Sequence, residues 1–305
     1  MTKSNMFPIL PGFPQDCPCL ERETSPRSSV AKARGARYDQ IFISILGAGL
    51  TMEIQGSNAI MVGGASGMCL ATAEKFVERG GKVAILDLEK SDGAAIAERL
   101  GGHFFPCNVM DYAGMEAVIG EAVAALGSVQ FCVNTAGGGV AKRTIAKDGS
   151  MHPLEDFQRI IDLNLIASFN VNRVVASHMA KNEPNEVGER GVMINTASIA
   201  AFEGQIGQVA YTAAKAGIAG MTLTMARDLG TIGVRVMTIA PSLFATGLTA
   251  GIPSEAELQL TKDAAFPKRM GRPHEFATMA IAIYESPMMN GSTLRVDGGQ
   301  RFAPR

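Results

Sequence analysis

The chain has 305 residues, of which 47% are hydrophobic and 19% charged, and its formal net charge at pH 7 is −1. This is the composition of a globular protein that is long enough to bury one large core. The near-zero charge argues against a basic surface for nucleic acids or membranes, so we expect neither as a partner.

Residues 1–52 differ from the rest, because they contain five prolines and show neither helical nor strand periodicity. We expect a poorly ordered N-terminal extension, followed by one domain over residues 53–305. The apolar run Ile41–Met52 is too short to span a bilayer. Five scattered cysteines, an odd number, favour a reducing compartment, and we expect a cytoplasmic location. Cys17 and Cys19 have no second cysteine pair or nearby histidine, so we expect no metal site.

From residue 53 onward, short apolar runs alternate with segments of helical spacing. The runs predict strands at 58–62, 82–88, 103–107, 129–133, 192–196, 234–239 and 293–296. The spacing predicts helices at 67–79, 91–100, 111–126, 153–181, 209–229 and 274–284, and a loop at 242–272. Such alternation indicates βαβ units with right-handed crossovers. We therefore expect an α/β, single-domain Rossmann fold, a doubly wound parallel sheet of about seven strands with helices on both faces.

The turn after the first strand is rich in glycine, reading Gly63-Gly64-Ala65-Ser66-Gly67. Glycines allow a pyrophosphate to approach the backbone, and the N–H groups at the start of the next helix bind its charge. Asp87 ends the second strand, at the distance where an acid accepts hydrogen bonds from a ribose. There is an alternative for each feature: the glycines could serve packing alone, and Asp87 could be a cap or turn residue. The position between a strand and a helix favours a dinucleotide.

Tyr211 and Lys215 are four residues apart, so a helix presents both on one face. A free tyrosine has a pKa of about 10, too high for a base at neutral pH. A nearby ammonium and a positively charged nicotinamide would both lower it. Ser198 follows the fifth predicted strand, and Asn164 lies in the helix before that strand. The four residues together predict an acid–base site.

These motifs, in this order, resemble the short-chain dehydrogenase/reductase family from about Glu53 to the C-terminus. The matching residues are Gly63, Gly67, Asn134, Thr135, Ala136, Gly137, Asn164, Ser198, Tyr211 and Lys215. The resemblance implies that Tyr211 is the general acid and base, and that Lys215 lowers its pKa and holds the nicotinamide ribose. It also implies that Ser198 hydrogen-bonds the reacting oxygen, and that Asn164 positions a proton-relay water.

Within the family, three stretches are most similar to the type 2 3-hydroxyacyl-CoA dehydrogenase group, also called 17β-hydroxysteroid dehydrogenase type 10. They are residues 152–159, 182–191 and 195–205. This resemblance implies a role in lipid metabolism, a homotetramer, and NAD-dependent hydride transfer with a small-molecule alcohol or ketone, above all a 3-hydroxyacyl-CoA. The implied cofactor contacts are Gly63, Ser66, Gly67, Met68, Asp87, Asn108, Val109, Asn134, Thr135, Ala136, Gly137, Tyr211, Lys215, Phe244 and Thr246.

Four positions depart from the family pattern. Val62 replaces a threonine, Cys69 the third glycine, Asn108 an acid near the adenine, and Ser242 a glycine after Pro241. The third glycine allows close packing of helix and strand, and a small cysteine fits there after a slight shift. We expect these departures to weaken cofactor affinity without removing the site.

Asp87 would repel a 2′-phosphate, and Ser66 is not basic, so we expect NAD rather than NADP. The loop at 242–272 is long and apolar, which is typical of a lid over a bulky apolar substrate. Its apolar residues could instead only tether the loop to the core. Two other functions remain open: a hydroxysteroid or other ketone dehydrogenase/reductase, and a non-catalytic NAD-binding scaffold.

Overall fold

The structure is a computed structural model that describes residues 52–249 and 251–304. The predicted N-terminal extension, apart from Met52, lies outside the described residues. Met52 is itself buried, with 7% of its surface exposed, and packs into the core.

Seven parallel strands form one sheet in the order β3-β2-β1-β4-β5-β6-β7, which confirms the predicted fold class. The strands are β1 (Asn58–Val62), β2 (Lys82–Asp87), β3 (His103–Pro106), β4 (Phe131–Asn134), β5 (Gly191–Thr196), β6 (Val234–Pro241) and β7 (Thr293–Val296). The central strands are buried along their whole length, because helices cover both faces of the sheet. The strand order reverses between β1 and β4, where sheets of this kind bind ligands.

The helices divide between the two faces of the sheet. They are α1 (Gly67–Glu78), α2 (Gly93–Leu100), α3 (Tyr112–Leu126), α4 (Leu154–Ile161), α5 (Ala167–Met179), α6 (Val209–Gly230), α7 (Ser254–Leu260) and α8 (Pro273–Glu285). On one face α1 and α8 pack together over a core that includes Phe76, Phe131 and Tyr284. Helices α3, α5 and α6 enclose the core on the other face. None of the helices in the described ranges is long and apolar enough to cross a membrane.

The single helix predicted at 153–181 is interrupted, because a π-helical turn at Asp162–Ile166 separates α4 from α5. Within this turn the side chain of Asn164 is fully buried, and its Nδ2 donates to Ile160 O (2.9 Å) and Gly138 O (2.8 Å). The π-helical turn, which is wider than an α-helical turn, therefore coincides with a side-chain contact from Asn164 to the distant loop that contains Gly138. Turns of this kind are frequent at functional sites.

The segment predicted as a loop at 242–272 contains one short helix, α7, and a 3₁₀ turn at Gly247–Thr249. Pro253 stands at the N-cap of α7, and Glu255 and Glu257 lie in its first turn, where acidic side chains stabilise the helix dipole. These signals are local, but the helix has only seven residues and is easily missed in a sequence.

Arg235 on β6 forms a buried hub at the amino-terminal edge of the sheet. Its Nε donates to Glu189 Oε1 (2.7 Å), and both side chains are more than 90% buried. Its other nitrogens donate to the carbonyl oxygens of Ile283 and Tyr284 in the last turn of α8, and of Ser286 and Met289 just beyond it. Burial raises the pKa of Glu189, and the Arg235 guanidinium opposes that rise.

Replacing Arg235 should therefore destabilise the fold strongly. Arg235→Met leaves the carboxyl group of Glu189 buried without its cationic partner, and we expect the free energy of unfolding to fall by about 3–5 kcal/mol. Arg99→Gln is the matched control, because it breaks the exposed pair with Glu74 and should cost less than about 1 kcal/mol. Urea unfolding measures both, and similar losses in the two variants would contradict the role of the hub.

Candidate active site

A cavity of about 390 Å³ lies where β1 passes into α1, at the carboxyl edge of the sheet. We call it the first cavity. The sequence-predicted cofactor contacts that line it are Gly63, Ser66, Gly67, Met68, Asp87, Val109, Thr135, Ala136, Gly137 and Thr246. The structure therefore brings together most of the residues that the glycine-rich motif and the family resemblance pointed to.

The glycines of the turn are where the backbone must come close to its neighbours. Gly63 has a φ of +75°, and a Cβ there would lie 3.0 Å from Ala136 N. Gly67 has a φ of +58°, and a Cβ there would lie 3.0 Å from Thr246 Cγ2. The N-cap residue of α1, Ser66, forms no side-chain cap, which leaves the first N–H groups of the helix facing the cavity. This cradle fits the pyrophosphate of a dinucleotide.

Asp87 lies at the end of β2 with both carboxylate oxygens engaged. Oδ2 accepts from Ala65 N (2.9 Å) and Oδ1 from Leu88 N (2.8 Å), so the carboxylate also braces the glycine-rich turn. Each oxygen keeps a lone pair for a further donor, such as a ribose hydroxyl. Asn108 was also predicted to contact the cofactor, but it does not line the first cavity. Its side chain is exposed, and its Oδ1 accepts a hydrogen bond from Met110 N (3.0 Å).

Cys69, which stands where the family pattern has a glycine, is completely buried beneath the turn. Its Sγ lies 3.6 Å from Val133 O and 4.0 Å from Met61 Sδ, so the thiol fills the space between α1 and the strands β1 and β4. Burial raises the pKa of Cys69, which keeps the thiol neutral. The side chain is thus accommodated as a small apolar residue.

A second cavity, of about 650 Å³, adjoins the first. The two share Met68, Thr135, Gly137 and Thr246, so they form one continuous cleft. The predicted residues Ser198, Tyr211, Lys215 and Phe244 line the second cavity. The predicted catalytic side chains therefore meet at the end of the cleft away from Asp87.

Tyr211 and Lys215 project from the first turns of α6 into this cavity, as their spacing predicts. The Lys215 Nζ donates to Thr196 O (2.8 Å) and lies 5.6 Å from the centre of the Tyr211 ring. Burial raises the pKa of Tyr211, while a hydrogen bond with the Ser198 hydroxyl opposes the rise. Burial also lowers the pKa of Lys215 to about 8. The arrangement holds an ionisable phenol beside a lysine that can change its protonation state near neutral pH.

Asn164 and Asn134 are buried behind the cleft and line neither cavity. Besides its two donated bonds, Asn164 accepts from Gly138 N (3.2 Å) and so clamps both polar groups of that residue. A Cβ on Gly137 would come within 2.5 Å of Asn164 Oδ1, which explains the glycine at that position. Asn134 accepts from Ala136 N (3.1 Å) and donates to Ser168 Oγ (3.2 Å). Both side chains hold the loop after β4 in place.

Several lining residues were not predicted from the sequence. They are Leu86, Leu88, Cys107, Leu163 and Gly247 in the first cavity, and Gly138, Gly139, Val140, Ala141, Thr196, Ala197, Gln208, Pro241, Ser242 and Thr249 in the second. The glycines directly after Gly137 were a usable signal, since a run of glycines beside a motif marks close approach to a ligand. The apolar residues carry no such signal. Within the described residues, no group of three or more His, Cys, Asp or Glu could hold a metal ion.

A family profile described as enoyl-(acyl carrier protein) reductase matches residues 63–301. The human 3-hydroxyacyl-CoA dehydrogenase type-2 is 48% identical over 255 residues, covering 83% of this chain and 98% of the relative. The relative of the same name in Drosophila melanogaster is 44% identical over 254 residues, covering 82% of this chain and all of the relative.

Solved structures show the same similarity. The 3-hydroxyacyl-CoA dehydrogenase type-2 of Mycobacterium avium superposes with a TM-score of 0.79 at 43% identity, covering 82% of this chain and 98% of the other. A 7α-hydroxysteroid dehydrogenase complexed with NADH and 7-oxo glycochenodeoxycholic acid superposes with a TM-score of 0.71 at 29% identity. The match covers 81% of this chain and 95% of the other.

The buried Lys215 should make the stability of the ligand-free protein depend on pH. Its pKa is about 8 in the folded chain and near 10.4 when unfolded, so the unfolded chain binds more protons between these values. Stability should therefore rise with pH in that window. Lys215→Met should remove about 2–3 kcal/mol of this rise, measured by urea unfolding at both ends of the window. Lys82→Met, at an exposed position, should leave the rise intact, and an intact rise in the Lys215 variant would contradict the prediction.

Proposed function

Because the chain belongs to the short-chain dehydrogenase/reductase family, we propose that this oxidoreductase transfers a hydride between NAD and a 3-hydroxyacyl-CoA. One observation carries the proposal: Tyr211, Ser198 and Lys215 meet in a cavity that continues into the glycine cradle beside Asp87. The names of the relatives at 44–48% identity support this substrate class.

NAD held by the glycine-rich turn and Asp87 would supply the hydride acceptor for oxidation of the alcohol carbon. Tyr211, as the phenolate, would take the hydroxyl proton at its Oη. The Lys215 ammonium beside the ring would stabilise that phenolate, against the burial that raises the pKa of Tyr211. The Ser198 hydroxyl would donate a hydrogen bond to the substrate oxygen as charge develops there. In the reduction direction the same phenol would return the proton.

Asn164 would serve this site through position rather than by contact with the substrate. Two of its hydrogen bonds hold Gly138 against the π-helical turn, and the third is donated to Ile160 O in α4. The Gly137–Gly138 segment lines the cleft beside Lys215. The water-positioning role implied by the family resemblance stays a prediction.

The remaining assignments rest on the family resemblance together with separate features of the chain. We propose a homotetramer, and side chains such as Phe266 and Met288, which are 84% and 93% exposed, are available for contacts between copies. We also propose a reducing, cytoplasmic environment, since the cysteines of the described residues, Cys69, Cys107 and Cys132, are buried free thiols.

The hydroxyl of Tyr211 should be essential for turnover. Tyr211→Phe keeps the ring and removes the proton-transferring group, so turnover should fall by about 10⁴-fold while NADH binding is retained. Ser198→Ala should cost about 10²–10³-fold in kcat, because one hydrogen bond to the developing charge is lost. Tyr112→Phe is the matched control, since that hydroxyl donates to Asp162 O outside the cleft. Near-normal turnover in the Tyr211 variant would remove this residue from the mechanism.

The cofactor preference should depend on Asp87. Asp87→Ala removes the repulsion of a 2′-phosphate and the brace on Ala65 N, so NADH should bind more weakly and its advantage over NADPH should narrow. Fluorescence titration with both dinucleotides measures this, with Asp92→Ala as a control at an exposed carboxylate outside both cavities. Tighter binding of NADPH than of NADH by the wild-type protein would overturn the assignment.

The substrate class is tested by kcat/KM with NAD for 3-hydroxybutyryl-CoA, a hydroxysteroid and a short free alcohol. We expect the acyl-CoA to be preferred. A preference for the steroid would favour the second candidate, which the similarity to a 7α-hydroxysteroid dehydrogenase and the apolar wall at Leu243 and Phe244 support. Preference for the free alcohol would exclude both, and NADH binding without any turnover would leave the scaffold function.

A further inference from the structure

The last described residues, Asp297–Pro304, run between the two walls of the second cavity. One wall is formed by residues 242–272, the lid, which lines the cavity at its beginning, from Ser242 to Thr249, and contains α7 farther along. The other wall is formed by Phe202–Gln208, the segment just before α6, whose last residue, Gln208, lines the cavity. We call residues 297–304 the strap, because they are hydrogen-bonded to both walls.

The strap is attached to the lid at two points. Phe266 N donates to Gly298 O (3.0 Å), and Gln300 Nε2 donates to Leu260 O at the end of α7 (3.0 Å). Gln300 is 2% exposed, so this hydrogen bond is shielded from water. A Cβ on Gly299 would lie 2.9 Å from the Cβ of Ala265, so the strap and the lid are in close contact here.

The strap is attached to the opposite wall by its final residues. Ile206 N donates to Pro304 O (3.1 Å), and Gln205 Nε2 donates to Ala303 O (3.3 Å). Gln205 N in turn donates to Gln208 Oε1 (3.0 Å). Gln208 lines the second cavity and lies three residues before Tyr211. Gln205 is therefore the one residue between the strap and Gln208, which lines the cavity.

Arg295, just before the strap, holds the same wall through an ion pair with Glu203. Its guanidinium donates to both carboxylate oxygens of Glu203 and lies 5.3 Å from the ring centre of Phe202. It also donates to Asp297 Oδ2 (2.6 Å) and to Gln300 O (3.0 Å) within the strap. The guanidinium of Arg295 thus connects the Phe202–Gln208 wall and the strap to the end of β7.

We propose that the strap sets the distance between the lid and the Phe202–Gln208 wall, and through that distance determines the acyl-chain length of the substrate. Both walls lie outside the sheet, so the sheet alone does not fix their separation. The strap is hydrogen-bonded to both walls, and through Gln205 it is connected to Gln208, which lines the cavity. This inference rests on the proposed function for the identity of the substrate, but its coupling of the two walls does not.

The kinetic test uses two variants that release one wall each. Deletion of residues 303–305 removes the acceptors of the Phe202–Gln208 wall, and Gln300→Met removes one of the two hydrogen bonds to the lid, the one that Leu260 O accepts. Deletion of Arg305 alone is the matched control, because Ala303 O remains and the Pro304 oxygen, as part of the terminal carboxylate, can still accept the hydrogen bond from Ile206 N. The assay compares KM and kcat for 3-hydroxybutyryl-CoA and 3-hydroxydodecanoyl-CoA.

Each strap variant should raise KM for the preferred chain length by about five- to tenfold, the effect of one hydrogen bond, and reduce the discrimination between the two substrates. The kcat for the preferred substrate should change by less than about twofold, because Tyr211 and Ser198 are untouched. An unchanged preference between the two chain lengths, or an equal loss of kcat for both, would overturn the proposal.

Amide hydrogen exchange tests the coupling without any substrate. Deletion of residues 303–305 frees the Ile206 amide directly, and if the strap links the walls, the Phe266 amide on the lid should also exchange faster. Faster exchange at Ile206 alone would overturn the proposal. If the wild-type protein turns over no acyl-CoA but the two amides respond together, the substrate class fails and the strap stands.

Discussion

All seven strands are parallel, and the rest of the molecule depends on this constraint. Parallel strands end at one common edge, so the chain must leave the sheet seven times on the same side. The loops after the first six strands, β1 to β6, accordingly meet there and supply the walls of one cleft. The opposite edge has a structural role, and there Arg235 joins β6, Glu189 and the end of α8.

Close backbone contact at the carboxyl edge requires glycine at a few positions and buried amides behind them. Gly63 and Gly67 adopt positive φ angles in the turn after β1, and Gly137 leaves room for Asn164 Oδ1. Asn164 reaches this loop because the π-helical turn changes the direction of its side chain relative to a regular helix. The helix interruption and the loop after β4 are therefore parts of one arrangement.

Features that depend on neighbours in sequence were predictable, while those that depend on distant partners were not. The strands, the glycine-rich turn and the i, i+4 pair of Tyr211 and Lys215 follow from local periodicity and are where the sequence places them. The π-helical turn at Asn164 required knowledge of Gly138, twenty-six residues away. Asn108 is a local exception, since its side chain accepts from Met110 N two residues further on, and that turn was not predicted.

Following the transferred hydrogen tests direct hydride transfer most directly. The wild-type protein is incubated with NAD and 3-hydroxybutyryl-CoA that carries deuterium on the alcohol carbon, and the product dinucleotide is analysed by mass spectrometry. We expect each NADH formed to carry one deuterium, because the carbon-bound hydrogen would pass directly between substrate and nicotinamide in one cleft. Formation of NADH without deuterium, or 3-oxoacyl-CoA produced without NADH, would contradict it.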